Sequence, residues 1–196
     1  METYNRLEKI TTSDKIFFTT KELASIFEID FPRTLENIIV NLISSKILTQ
    51  LEKGKYFVTS KKPSEFEIAQ FVYSPSYISL ESALNVYGIL SQFPFEITSI
   101  SLKKTTTKEI IGKTFTYSQI KKSLFTGYIK KDNYLIALPE KALFDYFYLI
   151  SKAVKTDTYL GEMNFSIVNK NKTLAYLNPE TTKNSNKIFD YINMYL

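Results

Sequence analysis

The chain contains no cysteine and no histidine, and the two absences remove most of the usual catalytic and metal chemistry. Without cysteine there is no disulfide, no thiolate nucleophile and no zinc finger. Histidine is the commonest metal ligand and the usual acid–base group near neutral pH, so its absence excludes Ser-His-Asp and Cys-His catalysis. Only carboxylates, lysine, tyrosine, serine and threonine remain for chemistry. No apolar run reaches the roughly 18 residues that a membrane span needs. The first residues, METYNRLEKI, lack the charged-then-apolar layout of a signal peptide, and the expectation is a cytoplasmic protein with no membrane contact. The phosphate-binding patterns GxxxxGK(S/T) and GxGxxG are missing as well, and no cofactor or metal ion is expected.

What is present is enough apolar material to fold. With 196 residues, 44% hydrophobic and 15% aromatic, the chain can bury a core as one mid-sized or two small domains. The balance of 25 basic and 20 acidic side chains gives +5, a hint of a polyanionic partner. Residues 1–62 hold ten basic and eight acidic groups and residues 63–196 hold fifteen and twelve, so neither part is strongly basic. One segment departs from this: between Lys103 and Lys131 there are eight lysines and one acid, Glu109. Such a run is either a phosphate-facing surface or ordinary solvated lysine.

The N-terminal 62 residues read as three helices and a hairpin. A first helix is expected over residues 2–10. In FTTKELASIF, Thr19 and Glu22 have the spacing of a capping box, Phe18 and Leu23 that of a hydrophobic staple, and Leu23, Ile26 and Phe27 one apolar face. A further helix opens at Phe31-Pro32, where proline in the first turn loses no needed hydrogen bond. Its Leu35, Ile38, Ile39 and Leu42 recur at helical spacing, which turns Arg33, Thr34, Glu36, Asn37 and Asn41 outward. ILTQLEKGKYFVTS then gives two β-prone runs around Lys53-Gly54-Lys55.

That order of elements is the layout of a winged helix-turn-helix, in which the third helix enters the major groove of double-stranded DNA and the hairpin touches the backbone. Arg33 can read guanine, Asn37 adenine, and Thr34 a phosphate or a thymine methyl, while Lys53 and Lys55 can neutralise phosphates. Thr20, Lys21 and Asn41 complete the candidate DNA-binding set. Glu36 is a cost unless it meets a cytosine amino group.

KKPSEFEIAQFVYSPS, with two prolines and little periodicity, is expected to be a connection, with a boundary near 63–73 and a second domain over 74–196. In YISLESALNVYGIL, Ser79 is the expected cap, Glu81 favours the positive helix end, and Gly88 is expected to end the helix in left-handed geometry. FEITSISL, IGKTFTYSQI and GYIKKDNYLIAL read as strands of a small, mostly antiparallel sheet, which makes the whole chain α+β. The stretch LPEKALFDYFYLI follows. Pro139 and Glu140 suit a first helical turn, Ala142, Leu143, Tyr146, Phe147 and Ile150 supply an apolar face, and Lys141 and Asp145 can pair four residues apart. A nuclease would place carboxylates and lysine in an Asp…Glu-x-Lys pattern, which Glu140-Lys141 does not have.

YISLESALNVYGIL, GKTFTYSQI and above all LPEKALFDYFYL, behind an N-terminal winged helix, resemble the AbiEi-family antitoxins of bacterial type IV toxin-antitoxin systems. NFSIVNKNKTLAYL and NSNKIFDYINMYL resemble that family's closing helices. The resemblance implies a non-enzymatic autorepressor that binds operator repeats upstream of its own operon and counteracts a nucleotidyltransferase-type toxin without a stable complex. It also implies base or phosphate contacts at Arg33, Thr34 and Asn37, wing contacts at Lys53 and Lys55, and a supporting basic surface at Lys103, Lys104, Lys121 and Lys122. Two rivals remain open: a protein-docking module without sequence-specific DNA binding, and a carboxylate-dependent enzyme acting on nucleic acid.

Overall fold

The computed structural model describes residues 8–177 and 184–196 of an α+β chain that forms two compact units, Met1–Val72 and Tyr73–Leu196. In the first unit residues 8–11 are helical, followed by β1 (Phe17–Thr19), α1 (Thr20–Phe27), α2 (Pro32–Ser44), β2 (Leu48–Glu52), β3 (Lys55–Val58) and α3 (Glu65–Val72). Most of the helix expected over 2–10 lies outside the described residues; its described end buries Ile10. The strands form an antiparallel sheet in the order β1-β3-β2. Phe18, Leu23, Phe27, Leu35, Ile39, Leu42 and Val58 pack with Ile10 into one core.

The local signals explain these elements. Thr19 accepts a hydrogen bond from the Glu22 amide at 3.3 Å and donates its own amide to the Glu22 carboxylate at 2.7 Å, closing the capping box. Lys15 also bonds that carboxylate. Burial alone would raise the Glu22 pKa, but the bonds from Lys15 and Thr19 outweigh it and hold the group below its ordinary 4.5. Residues 63–73, expected as a connection, instead contain α3. The Ser64 amide donates to Glu67 at 2.8 Å and the Glu67 amide to Ser64 Oγ at 3.3 Å, a second capping box. Ile68, Ala69 and Val72 are its buried side.

The second unit holds β4 (Ser76–Ile78), α4 (Leu80–Val86), β5 (Glu96–Ser101), β6 (Thr106–Ile110), β7 (Lys113–Gln119), β8 (Tyr128–Lys131), β9 (Tyr134–Ala137), α5 (Pro139–Ser151), α6 (Lys170–Leu174) and α7 (Ser185–Tyr195). Its sheet has six strands in the order β6-β7-β5-β4-β9-β8, larger than the small sheet expected, and is mixed: three of its pairings are antiparallel, in line with a mostly antiparallel sheet, and two are parallel. β5 pairs β7 in parallel because β6 reverses the chain between them, and β4 pairs β9 in parallel across a longer crossover. GYIKKDNYLIAL, read as one run, is the β8–β9 hairpin. α4 ends as expected, with Gly88 at φ +70°.

α5 is apolar and buried nearly all round, with every side chain from Lys141 to Leu149 buried, and it packs against α4, α6 and α7. Its two charges are inside. Asp145 Oδ1 accepts a hydrogen bond from Lys141 Nζ, and Oδ2 accepts one from Tyr77 and one from Ser79, both at 2.9 Å. Ser79 therefore does not cap α4 with its side chain; its hydroxyl is committed to Asp145. The Lys141 ammonium also lies 5.2 Å from the Phe144 ring centroid, 5.6 Å from Tyr176 and 5.8 Å from Tyr77. Burial lifts the Asp145 carboxyl above its ordinary value against the pull of Lys141, Ser79 and Tyr77, and burial with Asp145 lifts the Tyr77 phenol well above its own.

Removing one member of the pair strands the other in the core, so Lys141→Ala is expected to lose about 3–5 kcal/mol in urea unfolding, whereas Lys141→Met with Asp145→Leu is expected to recover most of that loss. For Glu22 the sign follows from a folded pKa below the unfolded one: the stabilisation is full above the unfolded value and is lost as pH falls through the folded one. Melting temperatures should thus fall between about pH 5 and pH 3 less steeply in Glu22→Gln than in the parent.

Candidate nucleic-acid interface

Pro32 opens α2, and burial of Leu35, Ile39 and Leu42 fixes which side faces out. Arg33, Thr34, Asn37 and Asn41 are all exposed. Arg33, Asn37 and Asn41 follow one another at four-residue steps and form a stripe along the helix, with Thr34 beside it. Guanidinium and carboxamide groups are the side chains that read guanine and adenine bidentately. Glu36 is exposed on the same surface, next to Val40 at 54% exposure.

The start of α1 is fastened to the β2–β3 hairpin. The Thr20 amide donates to the Gly54 carbonyl at 3.0 Å. Gly54 has φ +80°, and a Cβ there would stand 3.3 Å from Thr20 Oγ1, so the tip needs glycine for its conformation and for this approach. Thr20, Lys21, Glu36 and Lys53 thereby surround a groove of 680 Å³. Ile29, Ile39, Val40 and Ile43 contribute apolar lining to it.

Lys53 is exposed at the hairpin turn. Lys55, paired with it in the sequence reading, is placed differently. Its ammonium lies 2.9 Å from Glu52, donates to the Val72 carbonyl, and sits 5.8 Å from the Phe71 ring centroid. With α3 inside the first unit, Glu65 and Glu67 count with it, and residues 1–72 hold ten basic and ten acidic side chains. The whole excess of five positive charges belongs to residues 73–196.

The sheet of the second unit gathers that excess. Parallel pairing aligns Ser101 with Gln119, so β5 and β7 end side by side, with Lys103 and Lys104 following one and Lys121 and Lys122 the other. β4 and β9 start at this same end, and the β8–β9 turn closes there, since Lys131 pairs with Tyr134. Lys130 and Lys131 therefore join the four lysines singled out from sequence. All six are exposed, with Asp132 as the exposed acid in the turn beside them. The Lys103 ammonium lies 5.2 Å from the Tyr73 ring centroid, and Tyr73 donates to the Lys104 carbonyl at 2.7 Å. Lys108 and Lys113 are half-buried strand residues.

Among the described residues, no group of three or more Asp or Glu side chains could hold a metal ion, and no helix is long and apolar enough to cross a membrane. No protein-family profile matches the chain, and no curated protein matches it significantly. Among solved structures, the RV2827C protein from Mycobacterium tuberculosis is similar in fold, with a TM-score of 0.61 at 12% identity, over 98% of this chain and 76% of that one.

Proposed function

We propose that the chain is a DNA-binding autorepressor of the AbiEi antitoxin kind. In this reading the first unit is a winged helix-turn-helix, α2 reads the major groove, and the β2–β3 hairpin is the wing. The observation that supports it best is the exposed stripe of Arg33, Asn37 and Asn41 with Thr34 alongside, on the helix that follows α1 across a tight turn. The order of elements, from a helical segment through a strand, two helices and a hairpin, fits the same architecture. Since the first unit is neutral overall, its phosphate contacts fall to Lys21 and Lys53, and the lysines at the end of the second unit's sheet supply the charge that the first lacks. The antitoxin activity, opposing a nucleotidyltransferase-type toxin without a stable complex, is assigned to the second unit on the sequence resemblance.

A second reading, a protein-docking module, draws on the neutrality of the first unit and the apolar lining contributed by Ile29, Ile39, Val40 and Ile43. The enzyme reading rests on Glu140 and Asp145 of α5, of which Asp145 is fully buried and Glu140 half-buried; magnesium-dependent cleavage of nucleic acid lost in Glu140→Ala would support it.

Binding of the full chain to its own upstream DNA and to a scrambled duplex, across a salt series, separates the first two readings. Selective binding that weakens steeply with salt supports the repressor; equal weak binding to both duplexes overturns it. Arg33→Ala is expected to cost about 1–3 kcal/mol at one operator position, and Lys53→Ala to weaken binding to every sequence and lower the salt slope by about one. Lys55→Ala should leave the salt slope nearly unchanged, because its ammonium is held by Glu52 and Val72.

A further inference from the structure

A cleft of 190 Å³ in the second unit is lined by Glu81, Leu90, Phe93, Phe95, Lys155 and Tyr159, among others. Glu81 stands in the first turn of α4 and is 5% exposed. One carboxylate oxygen, Oε1, accepts from Lys155 Nζ at 2.5 Å; the other, Oε2, is buried with no hydrogen-bond partner within the protein. A buried carboxylate oxygen left unpaired is costly, and the group is acceptor-only, so it calls for a donor. With Glu96 also on the lining, two carboxylates face one ammonium and the cleft favours a cation.

The rim is aromatic. Phe93 is 87% exposed and Phe95 95%, on either side of Pro94. The base of this loop is fixed. Asn85 Nδ2 donates to the carbonyls of Leu90 and Gln92 at 3.1 and 3.0 Å, Gln92 Nε2 donates to Glu162, and Leu90 forms a β-bridge with Met163. Two phenyl rings held out in water beside an unsatisfied carboxylate form a surface prepared for a partner.

The geometry points to a docking cleft for the arginine side chain of a partner protein. Its volume is below the roughly 300–1,000 Å³ of small-molecule sites and suits a single projecting side chain. A planar guanidinium can stack on Phe95, the more exposed of the two rings, while directing N–H groups at Glu81 Oε2 and Glu96, whereas a compact, strongly hydrated ammonium matches flat apolar walls less well. This cleft is independent of the DNA-binding residues, so its failure would leave the repressor reading untouched.

The test is an NMR titration of the isotope-labelled full chain with the capped tripeptide Ac-Gly-Arg-Gly-NH2 and its lysine and citrulline counterparts. Citrulline keeps the planar shape and removes the charge. The arginine peptide should give saturable shifts at Leu90–Glu96, Lys155 and Tyr159, with about five-fold weaker binding for lysine and no saturation for citrulline. Phe95→Ala should weaken arginine binding about five-fold at unchanged melting temperature, because the ring is exposed. Glu81→Gln should abolish it; should that variant fail to fold, Phe95→Ala and Glu96→Gln give the decision. Equal shifts from arginine and citrulline, no saturable shifts at these residues, or unchanged affinity in Phe95→Ala would overturn the inference. Self-association abolished in Arg33→Ala would overturn it too, by assigning the cleft to a second copy of the chain.

Discussion

The second unit is organised around a charge that cannot leave. Lys141 and Asp145 occupy consecutive turns of α5 with neither side chain in contact with solvent, and each is tolerable only because the other is present. Asp145 uses its second oxygen to hold Tyr77 on β4 and Ser79 at the start of α4, so one carboxylate ties a strand and two helices together. Rings of Tyr77, Phe144 and Tyr176 surround the ammonium. Tyr176 is itself held close to Gly127, where an added Cβ would come within 2.6–2.8 Å of its ring carbons and hydroxyl oxygen. The central helix is therefore set in register by directional contacts as well as by apolar packing.

Charge is distributed unevenly between the two units, and this shapes the functional reading. Under the proposed repressor function, the exposed Arg33, Asn37 and Asn41 of a neutral first unit would discriminate bases but exert little long-range attraction for DNA. The second unit carries six exposed lysines at one end of its sheet. Discrimination and attraction are different physical tasks, and the proposed repressor would divide them between separate residues.

Local signals were readable in the sequence wherever a few neighbouring residues decide the outcome. The Thr19–Glu22 capping box, Pro32 at the start of α2, its Leu35, Ile39 and Leu42 periodicity and the left-handed Gly88 are all of this kind. α3 was missed although Ser64 and Glu67 have the same spacing as Thr19 and Glu22, because Pro63 and the short apolar pattern obscured it. β1, three residues long, is too short to show alternation. Strand order is a long-range property, which is why the parallel β5/β7 pair and the gathering of Lys130 and Lys131 with the other lysines were not readable. The half-buried position of Lys55, whose ammonium donates to Val72, was not readable either, because its partner lies on α3. The burial of Lys141 and Asp145 did leave a trace, since the unbroken run Tyr146-Phe147-Tyr148-Leu149 beside them marks a helix that is apolar on every side.

The β6–β7 turn at Ile111-Gly112 lies at the opposite end of the sheet from the lysines, because Ile110 pairs with Lys113 while Thr106 pairs with Tyr117. Ile111 is 60% exposed there. In a chain with no cysteine, Ile111→Cys creates a single thiol, and a fluorophore attached to it would report tumbling and proximity without crowding the basic end. The same strand reversal that makes β5 and β7 parallel thus supplies a remote handle on the molecule.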